Sequence, residues 1–535
     1  MFFQSLKKIQ KFVSARVLLD RYEKEFINFN INKWKGNKVS PRKKLNVPVI
    51  LVELFPLYTA IYFWSYLSNL LSKKYNAEIK FYYFNFLLSR GAKFQLFIRK
   101  LKKIYASFNA DKGLVEYDFK YSHQDLKRFE KQFQKIKDKK QLLKFKINKI
   151  NIGDLINDTY LRITLEPTLK LKDKRFKKIF FRSIKIFEEI IIFFKKNNVK
   201  CVIPSHLCYS FGIISRIAIS KKIPVIKFHS KNEGLSAIKL IKVSKWNLNE
   251  SPYYNFKKIF ANFSKNQKIE GLKIGKIISR SRVSGNYDKH LPYIKRSQFH
   301  KKKMISNILS KSNHNKEKII IFPHCFYDYP HRFRTMIFSD FYEQVNHIMN
   351  ISSKMNKYEW YYKPHPHSLP GHIDIHKILL KKFPNIIFLN KNVSHREILE
   401  LKPKCIITNH GSVAHEYALF NIPSINTGDN PHINYNFSLH PKSKTEFDRI
   451  MKNLDIYLRK TKIEKTQIYE FLYMQYSYSE NLNNEKHLLD DSFFVTKNDK
   501  LNQTSELLDY IIKKNKNSDK YIREYVTNFI DKNLN

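Results

Sequence analysis

The stretch "KCIITNHGSVAHEYALFNIPSINTGDNPH", residues 404–432, decides the fold. "KCIITN" is a short apolar run that ends in polar and small residues. "SVAHEYALFN" carries a helical pattern, and "IPSINTG" is a second apolar run. Strand, helix and strand in this order imply parallel pairing through a crossover helix, the repeating unit of α/β layer folds. The same alternation runs upstream. "KIIIFPH" (318–324), "YEWYYKP" (358–364) and "NIIFLN" (385–390) read as strands. Residues 336–356, "IDIHKILLKKF" (373–383) and "SHREILELK" (394–402) read as the helices between them.

The first half repeats the scheme. "VPVILVEL" (47–54), "AEIKFYYFN" (77–85), "VKCVIPSH" (199–206) and "IPVIKFHS" (223–230) read as strands. "RFKKIFFRSIKIFEEIIIFFKKNN" (175–198) and "LCYSFGIISRIAISKK" (207–222) read as helices. The uncharged segment 54–71, "LFPLYTAIYFWSYLSNLL", is nearly long enough to span a bilayer. Pro56 and the polar Ser65, Ser68 and Asn69 favour instead a strand end, a turn and an amphipathic helix. The expectation is α/β, with two Rossmann-like domains facing a cleft and extra N- and C-terminal helices. The boundaries expected are a basic helical segment at 1–46, an N-terminal Rossmann-like domain at 47–277 and a polar, basic linker at 278–317. A C-terminal Rossmann-like domain at 318–462 and a helical tail at 463–535 follow.

At 535 residues the chain exceeds what one core usually organises. Hydrophobic residues make up 43% of it, enough to exclude wholesale disorder. Lys and Arg number 99 against 46 Asp and Glu, a formal charge of +53. The lysines are spread along nearly the whole chain, beside many Ile, Asn, Phe and Tyr, as AT-rich coding favours. Such a charge attracts polyanions, anionic lipid surfaces and phosphorylated ligands. No zinc finger and no RNP-type aromatic motif is present, so no nucleic-acid partner is expected. The four cysteines lack CxxC pairs and form neither a zinc pattern nor a disulfide framework. The first residues, "MFFQSLKKIQKFVSARVLL", carry charges where a signal peptide is apolar, and read as a basic amphipathic helix.

Each strand of the second half ends in residues that carry chemistry. His324, Asp328 and His331 follow the first, and Lys363, His365 and His367 the second. Asn409, His410, Gly411 and Ser412 follow a third, and Gly428, Asp429, Asn430 and His432 a fourth. In a parallel sheet these ends share one edge, where ligands of such folds bind. Gly411 permits close backbone approach, and Ser412 suits the cap of the helix that begins there, where free N–H groups favour a phosphate. Glu416, one turn on, faces the same side and can accept both hydroxyls of a ribose. Pro364 and Pro366 stiffen the turn around His365, which beside Lys363 suits a diphosphate or a leaving phosphate. Asp328 is the one carboxylate of its loop and the candidate general base. His415, inside the helix, reads as packing. With no HExxH and no carboxylate cluster, no metal and no cofactor is expected.

"KPHP", "TNHGS", the helical Glu416 and "IPSINTGDNPH" together resemble the capsule and surface-polysaccharide glycosyltransferases of GT-B architecture, the capsular Kdo transferases above all. The HP and Ser elements are also similar to bacterial sialyl- and polysialyltransferases and to CDP-glycerol glycerophosphotransferases. "HCFYDYPHRF", "INIGDLINDTYLR" and "IPSHLCYSFGIISRIA" are similar to the same group. The resemblance implies metal-independent transfer of a sugar from a nucleotide-activated donor, with CMP-linked donors among the candidates, onto a capsule or lipopolysaccharide glycan. It implies that His365 contacts or protonates the donor phosphate, that Ser412 binds it, and that Glu416 sits at the ribose. The acidic base motif of the sialyltransferases has no clear counterpart, which leaves Asp328, or Asp154 or Asp158 of "GDLIND". The expected setting is the cytoplasm, with peripheral contact at the inner membrane. The alternatives are a CDP-linked polyol-phosphate transferase, a basic nucleic-acid-binding protein and an inactive scaffold.

Overall fold

A computed structural model describes residues 18–37, 47–85, 92–231, 237–244, 252–285, 298–300, 312–332, 336–366, 371–478, 505–514 and 518–534. The basic segment before residue 18 and His367 lie outside these residues. The chain divides into two compact units: Met1–Ile163 with Lys170–Trp246 and Glu485–Asn535, and Thr164–Leu169 with Asn247–Asn484.

The first unit holds strands β1 (Pro48–Glu53), β2 (Glu78–Tyr83), β3 (Ala110–Val115), β4 (Asn198–Ile203), β5 (Val225–Lys231) and β6 (Ala237–Val243). Their order across the sheet is β3-β2-β1-β4-β5-β6. All neighbours are parallel except the last pair, an antiparallel hairpin. β1, "PVILVE", is apolar on both faces, as a central strand covered by helices on each side must be. Segment 54–71 is a turn followed by helix Tyr58–Tyr75, whose residues are almost all buried. No helix of the described residues is long and apolar enough to cross a membrane. Helices Glu506–Lys514 and Ser518–Leu534, far along the chain, return to this unit. Leu507, Leu508, Ile522, Val526 and Ile530 enter the core formed by β1 and helix Tyr58–Tyr75.

The second unit holds β7 (Glu317–Phe322), β8 (Tyr358–Tyr362), β9 (Ile386–Phe388), β10 (Pro403–Thr408), β11 (Ser424–Asn426) and β12 (Ser438–Leu439). The order is β9-β8-β7-β10-β11-β12, parallel throughout. Counted within each unit, both sheets run 3-2-1-4-5-6, the doubly wound order of dinucleotide-binding folds. In that order the chain reverses direction between the first and fourth strands, and a crevice opens at their carboxyl ends. In the second unit these strands are β7 and β10. The stretch read as a linker begins inside a helix, Lys265–Val283, which belongs to the second unit. Helix Lys465–Tyr473 packs along it, with Gly275 directly against the backbone of Tyr469.

Candidate functional site

A cavity of about 250 Å³ opens at the carboxyl ends of β7, β8 and β10, the switch point of the second sheet. Its walls carry His324, Lys363, His365, His410, Gly411, Ser412, Glu416 and His432, together with Arg282, His395, His415 and Tyr476. Four polar clusters scattered over a hundred residues thus share one space because each follows a strand of the same sheet.

His324 anchors the centre. Its ring stacks on Phe341, with centroids 4.6 Å apart, and lies 5.9 Å from the rings of both His365 and His410. Nδ1 of His410 donates to the backbone carbonyl of Asp429 at 2.5 Å, because a carbonyl can only accept. In the neutral ring that bond leaves the lone pair on Nε2, so His410 is a proton acceptor held in one tautomer. Two glycines make room for this loop. A Cβ on Gly428 would stand 2.1 Å from Oδ1 of Asn409 and 2.6 Å from the His410 ring. One on Gly411 would stand 2.6 Å from the Thr408 hydroxyl.

Ser412 departs from the expected cap. Its backbone is itself helical (φ −59°, ψ −21°), and its hydroxyl makes no capping hydrogen bond to helix Val413–Ala418. The first turn therefore does not consume the hydroxyl. Glu416 is buried, and its Oε1 accepts from Nη2 of Arg282 at 2.6 Å. The Arg282 guanidinium also lies 4.7 Å from the centre of the Tyr476 ring. The sequence reading missed Arg282 because it falls at the end of a helix in a segment taken as a connection.

Lys363 is 1% exposed, and among the described residues its amine reaches only the carbonyl of Lys391, at 3.4 Å. Burial lowers its pKa from 10.5 to about 8. Between those values the unfolded chain holds a proton that the folded amine has released, so stability rises with pH across that window. The full rise is about 3 kcal/mol, at roughly 1.4 kcal/mol for each pH unit of displacement. Lys363→Met removes this rise and stabilises the fold at pH 7. Urea denaturation of both proteins from pH 7 to pH 10 checks it, and equal slopes in both contradict it. His395 lies beside Lys363; burial above all, with Lys363 and His300 adding to it, holds its pKa well below the usual histidine value. Nδ1 of this neutral ring meets the Tyr417 hydroxyl at 2.9 Å.

Other sequence candidates fall elsewhere. Asp328 sits in a turn, its N–H donating to Cys325 O at 3.1 Å, and it does not line the cavity. Asp429 turns its carboxylate to the Tyr254 hydroxyl and serves the cavity through its backbone carbonyl. Asn430 is wholly buried outside the lining. In the first unit, Asp154 is gripped by both terminal guanidinium nitrogens of Arg216, each at 2.6 Å. Asp158 accepts from Asn157 at 3.2 Å. The first sheet has its own switch point, between β1 and β4, where Glu53 accepts from the Ser205 N–H at 2.6 Å. Burial raises that carboxyl to about 7. Among the described residues, no group of three or more His, Cys, Asp or Glu is arranged to hold a metal ion.

Fold and site together define a two-unit α/β chain whose second unit carries a histidine-rich cavity with Lys363 and the Arg282–Glu416 pair at its switch point. No protein-family profile and no curated protein matches the sequence. Among solved structures, the UDP-GlcNAc 2-epimerase of Neisseria meningitidis bound to UDP-GlcNAc is similar at TM-score 0.26 and 11% identity, over 82% of this chain and 100% of that one. The β-Kdo 2,4 transferase KpsC of Thermosulfurimonas dismutans is similar at TM-score 0.31 and 10% identity, over 54% and 85%. A glycosyltransferase of Rickettsia africae gives TM-score 0.25 and 11% identity over 90% and 99%. At such scores the functional reading rests on the residues of the cavity.

Proposed function

We propose that this chain is a glycosyltransferase that moves a sugar from a nucleotide-activated donor onto a capsule or lipopolysaccharide glycan or glycolipid. The observation that carries the reading is the charge of the switch-point cavity. Lys363 and six strand-end or helix histidines face it, and its one carboxylate among the described residues, Glu416, is paired with Arg282, so that Lys363 supplies the net positive charge. Such a space favours an anion, and a diphosphate is the anion that switch-point crevices of this strand order accommodate.

In this reading the donor phosphates lie against Lys363, His365 and the Ser412 hydroxyl, which meet the charge that grows on the leaving group. His365 supplies a proton to it. The tautomer of His410 equips Nε2 to take a proton from an attacking hydroxyl, a role for which Asp328 stands outside the cavity. Residues rather than a metal ion carry the charge in this scheme. The strongly basic surface suits work against an anionic membrane face on the cytoplasmic side.

Thermal unfolding of the full chain with CMP, CDP, UDP and GDP tests the reading. At a hundredfold excess over Kd, a nucleotide that binds only the folded state adds about 2.7 kcal/mol, which shifts the second unit's transition by several degrees. If millimolar concentrations of all four leave both transitions in place, the assignment falls.

A further inference from the structure

The densest unexplained chemistry lies at one end of the same cavity. His415 is 3% exposed and His432 1% exposed, and among the described residues neither ring nitrogen of either has a hydrogen-bond partner. Their centroids are 5.6 Å apart, and His440, equally without partners, follows 5.6 Å beyond His432. Buried polar atoms are almost always satisfied, and six on three successive rings is a concentrated exception. Metal ligation does not account for it, since these rings form no metal-holding group.

The surroundings are aromatic. Phe471 packs 4.9 Å from His415 and 5.6 Å from His432, and Tyr476 is 6.3 Å from His415. Burial holds the pKa of both histidines well below the usual value, so each ring is neutral, with one donor and one acceptor. Flat apolar walls with paired donors and acceptors match the edge of a planar nitrogen heterocycle. The helix sets the order of contacts: Ser412 comes first, and His415 and Glu416 lie three and four residues on, about 5–6 Å along the same face. Phosphate, ribose and base of a nucleotide are spaced on that scale.

We propose that His415 and His432 form the nucleobase-recognition end of the cavity. The inference rests on the nucleotide reading of this cavity and adds which residues read the base. The tautomers of two neutral imidazoles are adjustable, so these rings bind a heterocycle edge without dictating which base it belongs to.

The test compares CMP and UMP with ribose 5-phosphate and inorganic diphosphate by calorimetry on the full chain, alongside His415→Leu and His432→Leu. The expected result is that the nucleotides bind about tenfold or more tighter than ribose 5-phosphate, as base stacking on aromatic groups implies. Both variants bring nucleotide affinity down to that of ribose 5-phosphate. Their unliganded Tm is unchanged or higher, because an apolar side chain replaces an unsatisfied one. A structural role predicts the opposite signature, a lowered Tm with nucleotide preference retained, and that result overturns the proposal. Equal wild-type affinity for nucleotides and ribose 5-phosphate also overturns it, and leaves the phosphate site standing. Binding of none of the four ligands overturns the nucleotide reading itself. The wild-type comparison decides the matter even if a variant fails to fold.

Discussion

Replacing Arg282 with methionine lowers the stability of the second unit by about 3–5 kcal/mol, the usual cost of breaking a buried ion pair from one side. Arg282 is 3% exposed and Glu416 5% exposed, and Nη2 meets Oε1 at 2.6 Å. Methionine keeps much of the contact with Tyr476 but strands a buried carboxylate. Glu416→Gln alone strands the guanidinium instead. The double variant, with neither charge, recovers much of the loss, since a buried pair and a well-packed neutral pair of similar volume are close in energy. Chemical denaturation of the four proteins completes the cycle, read at the second unit's transition. Additive losses in the double variant would show that the two groups do not act as a pair.

His365→Ala is expected to lower turnover by about 10²–10⁴-fold, the range for loss of a positioned proton donor. Ser412→Ala is expected to lower it by about 10²–10³-fold, as for a single oxyanion donor. Neither change should unfold the chain. His365 and Ser412 are half-buried, and the Ser412 hydroxyl supports no cap. Steady-state transfer from a nucleotide sugar, together with circular dichroism, measures both consequences. Near-normal turnover in both variants would remove the cavity from the reaction. If Ser412 binds phosphate equally in ground and transition states, its loss appears in KM instead of kcat.

Sequence reading went furthest where a local pattern decides the outcome. Runs such as "KIIIF" and "CIIT" are apolar on both faces, and only strands buried on both sides read so. Their polar ends therefore had to share an edge, and His324, Lys363, His365, His410, Ser412 and Glu416 do line one cavity. Long-range contacts were not legible. Arg282 finds Glu416 across 134 residues, and nothing in "KNQKIEGLKIGKIISRSRV" marks its last arginine as buried. Asp328 looked chemical because it followed a strand, but it sits in a turn closed on Cys325 and is not among the residues that line the cavity. His415 packs on Phe471, as its helical position suggested, and also lines the cavity, which helical position alone cannot tell. The antiparallel end of the first sheet was also hidden, because a hairpin partner beside a parallel strand carries no distinct periodicity.

The return of residues 505–534 to the first unit has a consequence during synthesis. Leu507, Leu508, Ile522, Val526 and Ile530 complete a core begun by Ile50 and Phe63. Tyr66 meets Asp519 across 453 residues, at 2.7 Å. On the ribosome the catalytic candidate, nearly contiguous from Asn247 to Asn484, emerges whole while the unit translated first still waits for its closing helices. A stop codon near residue 500 would therefore spare the unit it follows and damage the one that was translated first.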